Sequence, residues 1–101
     1  MGVSKLSCGA AHCLVLTNGM GLFFSFGWNT RGQLGLGNET NQNEPQCVDC
    51  PKVKTMGAGF AHSLILTTQN VAMGCGSNDF NELGLKDDNI QLNKFTPLNY
   101  F

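Results

Sequence analysis

Two histidines, five cysteines and thirteen glycines are the residues of this 101-residue chain best suited to chemistry. His12 and His62 are its only imidazoles, the side chains that serve as general base or metal ligand near neutral pH. Both sit in one context: Gly9-Ala10-Ala11-His12-Cys13-Leu14-Val15-Leu16-Thr17 returns as Gly59-Phe60-Ala61-His62-Ser63-Leu64-Ile65-Leu66-Thr67. An active site needs one constellation, whereas a residue that recurs in every copy of a repeat has a structural task. The expectation is a partly buried imidazole tied by hydrogen bonds to nearby backbone. Cys13 alternates to the strand face opposite His12, so no Cys/His nucleophile pair forms between these neighbours.

Cys47-Val48-Asp49-Cys50 is a C-x-x-C pair. Zinc requires four ligands, and neither Cys8, Cys13, Cys75 nor the histidines supply a second pair at matching spacing. A thioredoxin-type site would need a βαβ setting, which the sequence lacks. Packing is the leading reading, with a minor zinc-binding role through Cys47 and Cys50 as an alternative. The odd cysteine count excludes a complete disulfide framework within one chain, and residues 1–6 carry no export signal. Free thiols and an intracellular location, cytoplasmic or nuclear, are expected. Asn38-Glu39-Thr40 is a glycosylation sequon that matters only in a secreted protein. Gly57-Ala58-Gly59-Phe60-Ala61-His62 starts like a dinucleotide fingerprint but ends in His62 and leads into a strand, so no helix N-terminus awaits a phosphate. No cofactor is expected.

The elements that hold these residues come in copies. Six of the nine positions in the histidine block are identical at an offset of 50. A second block, Gly27-Trp28-Asn29-Thr30-Arg31-Gly32-Gln33-Leu34-Gly35-Leu36, returns as Gly76-Ser77-Asn78-Asp79-Phe80-Asn81-Glu82-Leu83-Gly84-Leu85 with five of ten identities at an offset of 49. A fainter echo pairs Asn43-Glu44-Pro45 with Phe95-Thr96-Pro97 at an offset of 52. It divides the chain into 1–44, a copy lacking its opening strand; 45–96, a complete copy; and 97–101, the start of a third.

Each copy reads as β-structure, with strands at Val3–Leu6, His12–Thr17, Leu22–Phe26, Val53–Met56 and Val71–Gly76, rich in β-branched and aromatic residues. Asn18-Gly19 signals a hairpin turn, lengthened by Gly21. Residues 38–44 and 86–89 read as polar connectors, the latter without the spaced acidic ligands of a calcium loop. Short strands on a period of about 50 residues point to four-stranded propeller blades.

These motifs closely resemble the regulator of chromosome condensation repeat over essentially the whole chain. The signature positions are Gly9, His12, Leu14, Leu16, Gly27, Asn29, Leu34 and Gly35, then Gly59, His62, Leu64, Leu66, Gly76, Asn78, Leu83 and Gly84. Asn81 and Cys75 depart from the pattern, where the family favours glycine and an aromatic. The resemblance implies an all-β fold: antiparallel β-propeller blades, about two of a seven-bladed ring. Because stacked repeats usually need about three or more units, the chain is expected to be a fragment, or a subunit that self-associates.

Function follows from what remains. Net charge −1 and only six Lys+Arg argue against nucleic-acid binding, and no apolar run reaches the ~20 residues of a membrane helix. No catalytic residue is assigned, and the expectation is a non-enzymatic protein-interaction module. Trp28 and Arg31, of types enriched at binding hot spots, with Asn29 and Gln33 as hydrogen-bonding neighbours, are the expected partner contacts. The resemblance also implies an alternative, guanine-nucleotide exchange on a Ran-type small GTPase.

Overall fold

The computed structural model describes residues 3–17, 22–77 and 91–98. Among them every regular element is a strand: β1 (Val3–Cys8), β2 (His12–Thr17), β3 (Phe23–Gly27), β4 (Gln42–Cys47), β5 (Val53–Ala58), β6 (His62–Thr67), β7 (Ala72–Ser77) and β8 (Gln91–Pro97). Consecutive strands pair antiparallel into two four-stranded sheets, β1-β2-β3-β4 and β5-β6-β7-β8, the architecture of propeller blades. The five strands expected from β-propensity all form, within two residues at either end. The Asn18-Gly19 turn, the positions Asn78, Leu83 and Gly84, the 86–89 connector and residues 99–101 lie outside the described residues. No described helix is long and apolar enough to cross a membrane.

The fourth strands are where sequence and structure differ. Residues 38–44 were expected to be connector throughout, yet β4 begins at Gln42. Its polar composition and Pro45 suit a sheet edge, where a missing amide donor and solvated side chains are tolerated. The fainter echo also needs correction. Cys47 lies opposite Phe24 and Pro97 opposite Met73, while Gln42 faces Gly27 and Leu92 faces Gly76. β4 and β8 therefore correspond at an offset of 50, with Pro97 matching Cys47 instead of Pro45. Register here is set by irregularities between Ser25 and Gly27 and between Gly74 and Gly76, which proline positions do not reveal. A sequence unit running 45–96 holds only the last three residues of β4 from one sheet, then β5, β6, β7 and all of β8 but Pro97 from the other.

The sheets stack face to face in a head-to-tail sense. On β2, His12, Leu14 and Leu16 are buried and alternate with half-buried Cys13, Val15 and Thr17. On β6 the phase is reversed: Ser63, Ile65 and Thr67 are buried while His62, Leu64 and Leu66 are half-buried. Equivalent residues therefore occupy opposite roles, as they must when every sheet presents one face forward and the other back. Leu14, Leu16, Phe23, Val48, Val53, Ile65 and Met73 form the core between them, and the Phe23 and Phe95 rings meet edge-on with centroids 5.7 Å apart.

A polar chain crosses this core. Ser63 Oγ donates to the Gln33 carbonyl at 2.6 Å and lies 2.8 Å from His12 Nε2. The hydroxyl has one hydrogen, already given to Gln33, so His12 Nε2 is the donor in the second bond. This fixes the Nε2–H tautomer and leaves Nδ1 buried without a hydrogen-bond partner among the described residues. The imidazole was expected to bind nearby backbone; the His62 main chain does act on it, and its Nε2 bond reaches a side chain of the other sheet. Ser7 Oγ accepts from Ala58 N at 3.0 Å and Lys5 Nζ donates to Thr55 Oγ1 at 3.0 Å, adding further links between the sheets.

Glycine also admits a close approach of neighbouring strands within each sheet. Gly76 has φ +99°, and a Cβ there would lie 2.5 Å from the Ala61 carbonyl and 2.7 Å from His62 Cα. Gly27 repeats the arrangement against Ala11 and His12, at φ +114°. Gly57, by contrast, has open space where its Cβ would stand. Gly76→Ala should therefore destabilise the fold by more than about 1 kcal/mol, and Gly57→Ala should stabilise it by about 0.5 kcal/mol. Urea midpoints of the two variants check both signs.

Burial lowers the His12 pKa below 6.5; the nearby His62 main chain opposes the shift and the His62 ring reinforces it. Unfolded His12 takes a proton as pH falls through 6.5, while the folded residue resists. Its contribution to stability is therefore undiminished above pH 6.5 and is eroded as pH falls from there toward the lowered folded value. Urea midpoints recorded against pH should fall in that window, and the fall should shrink in His12→Gln.

Candidate functional site

The β1–β2 and β5–β6 turns share a rim with the exits of β3 and β7. His12 pairs with Gly27 and the Trp28 amide donates to the Ala11 carbonyl at 2.9 Å. In the second sheet His62 pairs with Gly76 and the Ser77 amide donates to the Ala61 carbonyl at 2.8 Å. Gly9 stacks so closely on Gly59 that a Cβ on it would collide with the Gly59 carbonyl, which brings the two turns side by side. Two large aromatics project from this rim, Trp28 at 59% exposure and Phe60 at 82%. Ala10, Ala11 and Thr30 are exposed with them.

The four residues expected at a partner contact are separated by the structure. Trp28 is exposed, as the expectation required. Asn29 is fully buried and holds the loop between β3 and β4 together. Its Oδ1 accepts from Leu34 N at 2.9 Å, and its Nδ2 donates to Asn38 O at 2.8 Å, Asn38 Oδ1 at 3.0 Å and Thr40 O at 3.1 Å. Gln33 is also buried; its Oε1 accepts from the Arg31 amide at 2.9 Å. Both amides are committed internally because the loop turns inward to seat Leu34, itself fully buried, with the Leu34 carbonyl accepting from Ser25 Oγ at 2.8 Å. Arg31 lies half-buried, its Nη2 3.4 Å from Ser77 Oγ, so it joins the loop to β7.

The loop is also fastened to the second sheet. Gly37 N donates to Asn93 O at 2.7 Å, Leu36 bridges to Lys94, and Asn93 Nδ2 donates to Glu39 Oε2 at 2.6 Å. Trp28 is therefore presented by a stiff support. Phe60 was not singled out from sequence, because it falls within the Gly-rich signature and differs from its counterpart Ala10. That aromatic-for-alanine difference at a turn was the available signal.

The structure brings a histidine and a serine together at 2.8 Å, but not as a nucleophile and its base. Ser63 is fully buried and its proton goes to Gln33, away from His12. Cys75 is likewise buried beside Gln33 O, its thiol pKa raised strongly by burial. Burial, then the charges of Asp49 and Cys47, push the half-buried Cys50 thiol up to about 11, which disfavours the thiolate. Among the described residues, no third metal-ligating side chain joins the Cys47–Cys50 pair.

Comparison with known proteins agrees with this geometry. Sequence models of the Regulator of chromosome condensation (RCC1) repeat match residues 21–66 and, in a second form, residues 3–33 and 53–82. The X-linked retinitis pigmentosa GTPase regulator homolog of Caenorhabditis elegans is 35% identical over 95% of this chain, which corresponds to 7% of that protein. The probable E3 ubiquitin-protein ligase HERC3 of Homo sapiens is 40% identical over 85% of this chain and 8% of its own length. The crystal structure of Prp20p from Saccharomyces cerevisiae, described with its binding properties to Gsp1p and histones, superposes with a TM-score of 0.82. It is 27% identical, over 98% of this chain and 27% of Prp20p. The chain thus spans under a tenth of these two curated relatives and about a quarter of the solved structure. With two stacked four-stranded sheets, a histidine joint between them and repeat matches over most of its length, the chain belongs to the regulator of chromosome condensation (RCC1) repeat family.

Proposed function

We propose that the chain is a non-enzymatic protein-interaction module, nuclear or cytoplasmic, whose contact face is the rim bearing Trp28 and Phe60. The observation that carries this reading is Phe60, a phenylalanine 82% exposed at the tip of a tight turn. Water-exposed aromatics on rigid supports have little conformational entropy to lose on binding and bury a large apolar area. Aromatic residues, phenylalanine among them, are enriched in the cores of protein interfaces, and tryptophan is among the types that dominate binding energy there. Trp28, held by the Asn29-centred loop, supplies a second such side chain on the same rim.

A second reading is nucleotide exchange on a Ran-type small GTPase. It is supported by a relative that bears the name GTPase regulator and by the description of Prp20p as binding Gsp1p. An exchange factor favours the nucleotide-free GTPase, so factor and nucleotide weaken each other's binding. A standard interface of ~800 Å² per partner would draw on loops beyond the rim of two sheets.

Proximity labelling in cells, comparing the native sequence with Trp28→Ser, Phe60→Ser and, at the opposite end of the sheets, Val71→Ser, tests the contact face. The two rim variants should each lose a common set of labelled proteins, and purified members of that set should bind them at least about tenfold more weakly. Val71→Ser should retain the set. Labelling unchanged by both rim variants, or lost equally in Val71→Ser, would contradict the assignment. Accelerated release of a fluorescent guanine nucleotide from a Ran-type GTPase would favour the second reading.

A further inference from the structure

Cys8 and Cys13 face each other across the β1–β2 ladder, with their Sγ atoms 2.7 Å apart. Gly9 N donates to His12 O at 2.8 Å, which makes Gly9 and His12 the hydrogen-bonded pair that closes the turn. Rungs alternate, so Cys8 and Cys13 form the next, non-hydrogen-bonded pair. In pairs of this kind the Cα atoms stand about 4.5 Å apart with side chains on one face. That separation lies within the roughly 4.4–6.8 Å window of protein disulfides. At the equivalent rung of the second sheet stand Ala58 and Ser63, so the repeat itself does not call for two thiols. Cys75 is fully buried, and Cys47 and Cys50 belong to another segment.

We propose that Cys8 and Cys13 are a dithiol modification site that takes a low-molecular-weight disulfide as oxidant and closes to a cross-strand disulfide. The exposed Cys8 is the attacking thiol. As thiolate it attacks one sulfur of the oxidant, forming a mixed disulfide and expelling the first thiolate. Cys13 then loses its proton and attacks Cys8 Sγ, closing the bridge and expelling the second thiolate. The two cysteines give up two electrons and two protons in all, and the oxidant leaves as two thiols. Burial, followed by the neighbouring Cys8, raises the Cys13 pKa to about 11, which suits it to the second, intramolecular step instead of the first. The product staples the exposed strand β1 to β2, the strand that carries the His12 joint.

The test uses the full 101-residue chain with oxidised glutathione, followed by alkylation of free thiols and tryptic mapping. Cleavage after Lys5 and Arg31 gives a peptide, 6–31, whose only cysteines are Cys8 and Cys13. That peptide should emerge two hydrogens lighter and should accept alkylating reagent only after reduction. Cys13→Ser, which installs the residue already present at position 63, should instead trap a stable glutathione adduct on Cys8. Cys8→Ser should slow modification of Cys13 at least tenfold. A wild-type peptide that keeps both thiols, accumulates the glutathione adduct, or is bridged to a peptide containing Cys47, Cys50 or Cys75 would overturn the proposal.

Discussion

The stacking of the two sheets depends on the bond that His12 makes through the core. An imidazole placed between apolar layers costs free energy unless its polar atoms are satisfied. Ser63 satisfies Nε2 and is itself satisfied by the Gln33 carbonyl, so three residues from β2, β6 and the β3–β4 loop define one geometry. Apolar contacts alone, such as those Leu14 and Ile65 make in the core, would tolerate sliding of one sheet over the other. The directed bonds do not. With sheet-to-sheet placement fixed, the Asn29-centred loop lands on β7 and β8, and the two rim turns are held side by side.

Much of this was legible in the sequence because it recurs. The period-2 alternation of His12–Thr17 and His62–Thr67 gives strands, and their recurrence with the glycine blocks gives blades. What the alternation cannot show is which face of each strand meets the neighbouring sheet. His12 and His62 look alike in sequence, yet one lies across the core and the other sits half-buried on the far face. That distinction exists only once two sheets are stacked head to tail. The polar strand β4 was illegible for a related reason: an edge strand has little apolar patterning, and its pairing depends on a neighbouring bulge.

The site was legible in part. Trp28 stood out by type, and its exposure follows from the turn after Gly27. Asn29 and Gln33 share its segment but point their amides inward, because a loop that buries Leu34 must satisfy its own backbone groups. Residue type alone does not separate an asparagine that organises a loop from one that greets a partner. Phe60 was hidden by its setting inside a structural motif, where variation between copies is easily read as tolerance. Here the scaffold fixes the repeated residues, and the positions that differ between copies, Trp28 against Ser77 and Phe60 against Ala10, carry the surface character.

The most direct test of the account is a double-mutant cycle on His12→Ala and Ser63→Ala, read from urea unfolding. Coupling of about 1 kcal/mol or more between the two sites is expected, since each truncation strands the other's buried group. Effects that add to within about 0.3 kcal/mol would show that the sheets are held by apolar packing without the histidine joint.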